Sequence, residues 1–503
     1  MPVTPPPEPR ANIPVRGEPH ADILAAMQAS RAEDADYRGG KTWSLVYWAG
    51  DAHHHLIEQA HAAFLAENAL NPMAFKSLKR MEAEVVEMTA GMLHAPLDAC
   101  GTMTSGGTES LLLAVKTYRD RARKRKPWIL RPNIVVPETI HVAFDKAAHL
   151  FDVKKKVAPV DDNGAVIPKA MARLCDAQTI MLAASAPQYV HGTVDPIPEI
   201  AAIALRKKLP MHVDGCFGGF ILPWLEKIGV QMPVWDFRVP GVTSVSADVH
   251  KYGFGAKGAS VIVYRDMSYL RHQFFVATQW SGGIYVSPGL PGTRPGGPIA
   301  AAWAAMHALG EDGYIALAKG AWETAEFLRR GIEAIPGLRV MGLPHSTAVT
   351  WTSDDRTPGK NGVDVYAVAD ILQAKGWGVD RQQKPASVHL TVNANNRQVA
   401  ELYLSDLRAA VEHVRAHPEL ATQGEAAVYG LMSKVPIGRL VDREVLKVVE
   451  GMYSGGGART PAGASGGGEP GFVERNQARI RPILDKWDDA RKKLQSLLRR
   501  GGR

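Results

Sequence analysis

The stretch SVSADVHKYGFGAKGASVIVYRD, residues 244–266, decides the fold. It opens as a short run of small and β-branched residues and reaches its first lysine, Lys251. It then turns through Gly253, Gly255 and Gly258. A second apolar run, ASVIVYRD (259–266), follows after only a loop, which reads as one local hairpin. Upstream lie three runs of the same kind: NIVVPE (133–138), TIMLAASAP (179–187) and MHVDGC (211–216). Helical stretches such as HVAFDKAAHLF (141–151) and PEIAAIALRKK (198–208) separate them. Alternating strand and helix predicts an α/β fold, with a mostly parallel sheet covered on both faces.

Farther out the rhythm changes. From about Arg31 to His94, LIEQAHAAFLAENAL (56–70) and LKRMEAEVVEMTAGML (78–93) place apolar residues at helical spacing. Beyond about Glu311 comes a long helix, GYIALAKGAWETAEFLRRGIEAI (313–335). The segments RVMGLPHSTAVTWTS (339–353) and ASVHLTVN (386–393) read as antiparallel strands, and QVAELYLSDLRAAVEHV (398–414) as a closing helix. This pattern predicts an N-terminal arm and helical segment (1–95), a large domain (96–310) and a smaller α+β domain (311–453). A Gly-rich linker (454–471) and a basic amphipathic helical tail (472–503) complete the chain.

Length and charge bound the function. A chain of 503 residues is too long for one ordinary core. The net charge is +8, but residues 471–503 carry ten Lys/Arg against four Asp/Glu, so the body is nearly balanced. Without a basic stripe in the body, no nucleic-acid partner is expected. The tail could lie on an anionic membrane, pack on another subunit, or stay solvated. Three well-separated cysteines, Cys100, Cys175 and Cys216, suit a reducing compartment and give no zinc spacing. The proline-rich N-terminus lacks the apolar core of a signal peptide, and no run approaches the ~20 apolar residues of a spanning helix. A cytoplasmic enzyme is expected.

Four local features fit one another. Ser105-Gly106-Gly107-Thr108 opens directly into a helix, where free N–H groups and the helix dipole suit a phosphate. Asp214 ends a buried run, where α/β sheets bind ligands. Lys251 follows a buried strand, so desolvation and nearby positive charge should lower its pKa and make it an effective amine nucleophile. His141 follows NIVVPE, where an imidazole can stack on a flat ring. Each has a bland alternative: a helix start, a turn cap, a snorkelling lysine, a helix-start histidine. Together they describe a pyridoxal-phosphate site, with Lys251 holding the cofactor as a Schiff base and Asp214 keeping the pyridine nitrogen protonated. His53, His54 and His55 are adjacent and point in different directions on a helix, so no metal site is expected.

The same segments resemble the sphingosine-1-phosphate lyases, within the fold-type I pyridoxal-phosphate group that also holds the amino-acid decarboxylases. Besides the lysine stretch, TSGGTESLLLAVKTYRD, ETIHVAFDKAAH, SAPQYVHGTVDPIPEIA, HVDGCFGGFILPW, QFFVATQWSGGIYVSPGLPGTRPGG and AAVYGLM occur in the family's order. The resemblance implies roles residue by residue. Gly107, Thr108 and His250 would hold the cofactor phosphate, and Thr293 would reach it from the partner subunit of a homodimer. Tyr47 and Lys257 would contact the substrate phosphate or act near the reacting carbon. It also implies cleavage of the C2–C3 bond of a phosphorylated long-chain base; amino-acid decarboxylation is the alternative. Two departures stand out. Asn71 occupies a place where the family usually has histidine, which leaves substrate fit open. Phe254-Gly255-Ala256 stands where Tyr-Ala-Pro is usual.

Overall fold

The computed structural model describes residues 13–355 except 33, residues 362–426, and a few positions between 429 and 453. The Gly-rich linker, the basic tail and most of AAVYGLM lie outside the described residues.

Three helices come first: α1 (His20–Ala29), α2 (Asp51–Ala63) and α3 (Lys76–Met92). The central unit then runs β1 (Cys100–Thr104), α4 (Gly107–Arg125), β2 (Asn133–Pro137), α5 (Ala143–Phe151) and β3 (Lys154–Ala158). It continues through α6 (Pro168–Leu174), β4 (Thr179–Ser185), α7 (Ile197–Lys207), β5 (Met211–Asp214) and α8 (Leu222–Lys227). The hairpin β6 (Val242–Ala247) and β7 (Ser260–Tyr264) closes it, followed by α9 (Met267–Leu270).

These strands form one seven-stranded sheet in the order β1-β7-β6-β5-β4-β2-β3. Only β7 runs against its neighbours, β1 and β6, so the sheet is mostly parallel and the expected hairpin is present. Strands β2, β4, β5, β6 and β7 are buried along their whole length, because helices cover both faces. The sequence reading passed over β1 and β3. The first is short and contains glycine; the second, KKKVA, is a largely polar edge strand.

A two-stranded ribbon, β8 (Phe275–Trp280) and β9 (Gly283–Ser287), projects next, with Phe275, Val276, Trp280, Ile284 and Val286 exposed. Helix α10 (Gly296–Glu333) breaks at Gly310, whose φ of 57° is non-helical, beside the expected boundary near Glu311. Beyond it lie β10 (Leu338–Met341), β11 (Ala348–Ser353), α11 (Val365–Ala374), β12 (Asp380–Gln383), β13 (Ala386–Thr391) and α12 (Ala400–Ala416). The four strands make an antiparallel sheet, β10-β11-β13-β12, over a second core.

The N-terminal segment is sewn to that second core. Trp43 is fully buried, stacks on Trp377 at 5.7 Å and meets Tyr403 edge-on at 4.8 Å. The Thr391 N–H donates to the Trp43 carbonyl at 2.8 Å, and the Gly378 N–H to Lys41 at 3.0 Å. These contacts fix residues 41–47 between the two units and carry Leu45 and Tyr47 to the site below.

Candidate active site

The carboxyl ends of β1, β4, β5 and β6 open on one cavity of about 560 Å³, where α/β sheets place ligands. Its floor holds Asp214, Cys216, Asp248 and Lys251; its walls include Ser105–Glu109, His141, Tyr189, His250, Lys257, Asp380 and Thr391.

Helix α4 begins at Gly107, so its free N–H groups and positive dipole end face the cavity. A Cβ at Gly107 would lie 2.6 Å from Asp248 Oδ2 and 2.9 Å from Cys216 Sγ, so the backbone comes this close only without a side chain. Glu109 stabilises the loop from within. Its Oε2 accepts from the Ser105 N–H (2.8 Å) and hydroxyl (2.7 Å), and its Oε1 accepts from the Leu290 N–H (2.9 Å).

Asp214 ends β5, and its Oδ1 accepts from the Cys216 N–H at 3.0 Å. Lys251 Nζ stands 2.9 Å from Oδ2 of the buried Asp248. Burial opposes the lysine's charge, but the Asp248 carboxylate outweighs it and holds the ammonium above its ordinary pKa. This corrects the expectation of a lowered value: the fold supplies an anion where the sequence reading supposed only burial and positive charge. Asp248 is held well below the carboxylate range, since Lys251 and His250 overcome its burial. His250 Nδ1 accepts from the Ala259 N–H at 3.3 Å. Its proton is therefore on Nε2, 3.6 Å from Asp248 Oδ2.

Lys257 Nζ donates to the carbonyls of Leu45 (2.5 Å) and His250 (3.2 Å) and lies 5.4 Å from the Tyr47 ring centroid. Burial and the nearby Lys251 lower its pKa to about 8. Burial pushes the Tyr47 phenol up, aided by Tyr189, Asp248 and Asp380, so it stays protonated. His141 sits at the cavity edge, where its Nδ1 accepts from the Ala143 N–H at 3.1 Å.

Eight of the residues singled out in the sequence thus line one cavity: Tyr47, Gly107, Thr108, His141, Asp214, His250, Lys251 and Lys257. Asn71 and Thr293 do not line it. Asn71 Oδ1 accepts from the N–H groups of Met73 and Ala74 in a tight turn. Thr293 Oγ1 accepts from Asn68 Nδ2 at 3.4 Å, so the two segments share one surface patch. Glu109, Tyr189, Asp248 and Asp380 were missed. Asp248 lay within the decisive stretch, three residues before Lys251; the others carry no local signal. The three adjacent histidines find separate surroundings: His53 meets the Phe254 carbonyl, and His54 and His55 face Glu58. No cluster of three or more metal-ligating side chains occurs among the described residues.

A family model described as the pyridoxal-dependent decarboxylase conserved domain matches residues 46–352. Sphingosine-1-phosphate lyase 1 of Rattus norvegicus is 40% identical over 446 residues, covering 88% of this chain and 77% of the rat protein. The lyase of Oryza sativa is 42% identical over 432 residues, covering 84% and 78%. The chain belongs to the sphingosine-1-phosphate lyase family. The solved lyase structure from Burkholderia pseudomallei superposes with a TM-score of 0.77 at 40% identity, over 85% of this chain and 98% of that one. Glutamate decarboxylase of Lactobacillus brevis, at 21% identity and a TM-score of 0.70 over 80% and 95%, shares the fold.

The family's cofactor, pyridoxal 5'-phosphate, fits these residues. The cavity offers an amine at Lys251, a carboxylate at Asp214 and an open N-terminus at α4. It also presents a buried carboxylate oxygen, Asp248 Oδ1, with no hydrogen-bond donor among the described residues. No described helix is long and apolar enough to cross a membrane.

Proposed function

We propose that this protein is a carbon–carbon lyase that cleaves the C2–C3 bond of sphingosine 1-phosphate, giving a long-chain aldehyde and phosphoethanolamine. The observation that carries the reading is the match to sphingosine-1-phosphate lyases over most of the chain, with Lys251, Asp214, Gly107 and Lys257 converging on one cavity. The decarboxylases share the fold at much lower identity.

Bound pyridoxal phosphate would supply a protonated ring that accommodates the electron pair released from the C2–C3 bond. In this reading Lys251 would hold the cofactor through its amine. Asp214 would face the ring nitrogen and favour its protonated form. His141 would lie against the ring. The N–H groups at Gly107 and Thr108, with the Nε2–H of His250, hold the cofactor phosphate. Lys257 and Tyr47, at the opposite wall, receive the substrate's phosphate end. Held at both ends in this way, the substrate would be oriented by the cavity, and that orientation is where lyase and decarboxylase differ.

A homodimer with shared sites accounts for the two residues outside the cavity, because Asn71 and Thr293 lie on one patch beside an exposed apolar ribbon. Two-fold symmetry would place each patch against the other subunit's cavity. We place the enzyme in the cytoplasm, and peripheral contact with anionic membrane is one of three readings of residues 472–503, beside packing on another subunit and a solvated extension. On the membrane reading, deleting residues 471–503 should weaken binding to anionic vesicles; unchanged binding sinks it.

The test is direct. The cofactor-loaded protein is incubated with sphingosine 1-phosphate and assayed for both products, with Lys251→Ala as control. Both products, absent in the control, are expected. Cofactor binding with neither product would overturn the substrate assignment, and Asn71 would be the first residue to exchange.

A further inference from the structure

Cleavage of a C2–C3 bond beside a C3 hydroxyl needs a group that takes the hydroxyl proton. Four carboxylates line the cavity, and three are occupied. Asp248 is paired with Lys251 and His250. Both oxygens of Glu109 hold backbone N–H groups. Asp214 is tied to the Cys216 N–H and is assigned to the ring nitrogen. The fourth is Asp380, the first residue of β12, contributed by the smaller sheet.

Asp380 Oδ2 accepts from the Tyr189 hydroxyl at 2.9 Å. No described residue donates to its Oδ1, and no described cation stands within ion-pair reach. Its position is fixed from two sides. Asp380 pairs across the sheet with His389, and the Tyr189 ring lies 4.3 Å from the ring of that same histidine. His389 is buried and bonded at both nitrogens, to Thr350 (3.1 Å) and Thr391 (2.9 Å), so the platform under Tyr189 cannot swing. One carboxylate oxygen is thus anchored, and its twin is left for a donor that no described residue provides.

We propose that Asp380 accepts the proton of the substrate's C3 hydroxyl, with Tyr189 as its positioning residue; this rests on the lyase reading above. The proton passes from the C3 oxygen to Asp380 Oδ1. The O–H electron pair becomes the C=O π bond of the leaving aldehyde. The C2–C3 pair stays with C2, which takes up a proton, and Asp380 releases its own to solvent. Substrate is thereby converted to aldehyde and phosphoethanolamine with no net gain or loss of protons.

The test separates this step from the rest of the chemistry. Exchange of the C2 hydrogens of phosphoethanolamine with deuterated water, followed by NMR, needs no C3 hydroxyl. For Asp380→Asn the ratio of cleavage to exchange should fall about 100-fold or more, the scale of losing one acid–base group. Asp380→Glu should recover part of the loss. In Tyr189→Phe the carboxylate loses the donor that anchors its Oδ2, so the cleavage-to-exchange ratio should fall as well, by less than in Asp380→Asn. An Asp380→Asn variant whose cleavage and exchange fall together, or whose ratio stays within threefold of the parent, overturns the proposal. A parent enzyme that neither cleaves nor exchanges overturns the lyase reading itself.

Discussion

Lys251 Nζ stands 2.9 Å from Oδ2 of the buried Asp248, one turn away on the loop after β6. The pair decides the charge state of the amine. Burial alone would favour the neutral form, and the carboxylate reverses it. In Asp248→Asn the largest charge opposing burial is gone, although Asp214 still favours the cation, so the amine is free at lower pH. Cofactor attachment to the apoprotein at pH 7 should accelerate by about tenfold for each unit that the lysine pKa falls. Stopped-flow absorbance across pH 6–9 measures it. An unchanged pH profile would show that Asp248 does not govern the lysine.

Lys257 gives a prediction of opposite sense. Its pKa is lowered from 10.5 to about 8, by burial and then by Lys251. The cation is present below that pH and lost above it. If it receives the substrate phosphate, KM should rise as pH passes through 8, about twofold at the pKa itself and approaching tenfold per unit above it, while kcat changes less. Lys257→Met should show a high KM that no longer varies in this range, and Lys257→Arg should keep a low KM up to pH 9.5. Steady-state kinetics on sphingosine 1-phosphate at pH 7–9.5 separate the three.

What the sequence made legible was local. Asp214 and Lys251 sit at the ends of runs whose apolar character marks buried parallel strands, and Gly107 at a turn whose glycines mark a close approach. Their meeting follows from the topology that those runs dictate. Glu109, Tyr189 and Asp380 acquire meaning only through distant partners: Leu290 for the first, and for the other two a hydrogen bond spanning 191 positions. The stitching of Trp43 to Thr391 is equally non-local. The direction of the Lys251 pKa was misjudged because a residue three places away was read as part of a strand, whereas the turn after β6 folds it back beside the amine.

Gly107→Ala tests the cradle. The new methyl would meet Asp248 Oδ2 at 2.6 Å and Cys216 Sγ at 2.9 Å, and both partners are buried. Neither can withdraw without disturbing the Lys251 pair or the Ser246 hydroxyl that Cys216 contacts. Overpacking of this kind costs about 1–3 kcal/mol. Cofactor affinity should fall about tenfold or more, read by equilibrium dialysis, with the far-UV spectrum retained. Affinity equal to the parent's would mean that the loop relaxes and the close approach is incidental.

Glu109 is the tie between the phosphate loop and the segment leading to Thr293. Its two oxygens serve Ser105 on one side and Leu290 on the other. In Glu109→Ala both backbone N–H groups lose their acceptor in a part-buried setting, at a cost of about 1 kcal/mol each. In Glu109→Gln only one oxygen remains, and the new NH2 faces an N–H it cannot accept from, so one side of the tie breaks. Thermal unfolding should rank parent above both variants, and the rise in Tm produced by saturating cofactor should shrink, since a loosened loop binds phosphate less well. If Glu109 merely filled space, Glu109→Gln would match the parent in Tm and in cofactor-induced stabilisation, because its volume is the same. The two variants therefore distinguish a hydrogen-bonded tie from packing, and the cofactor-dependent part of the shift shows whether the tie reaches the site.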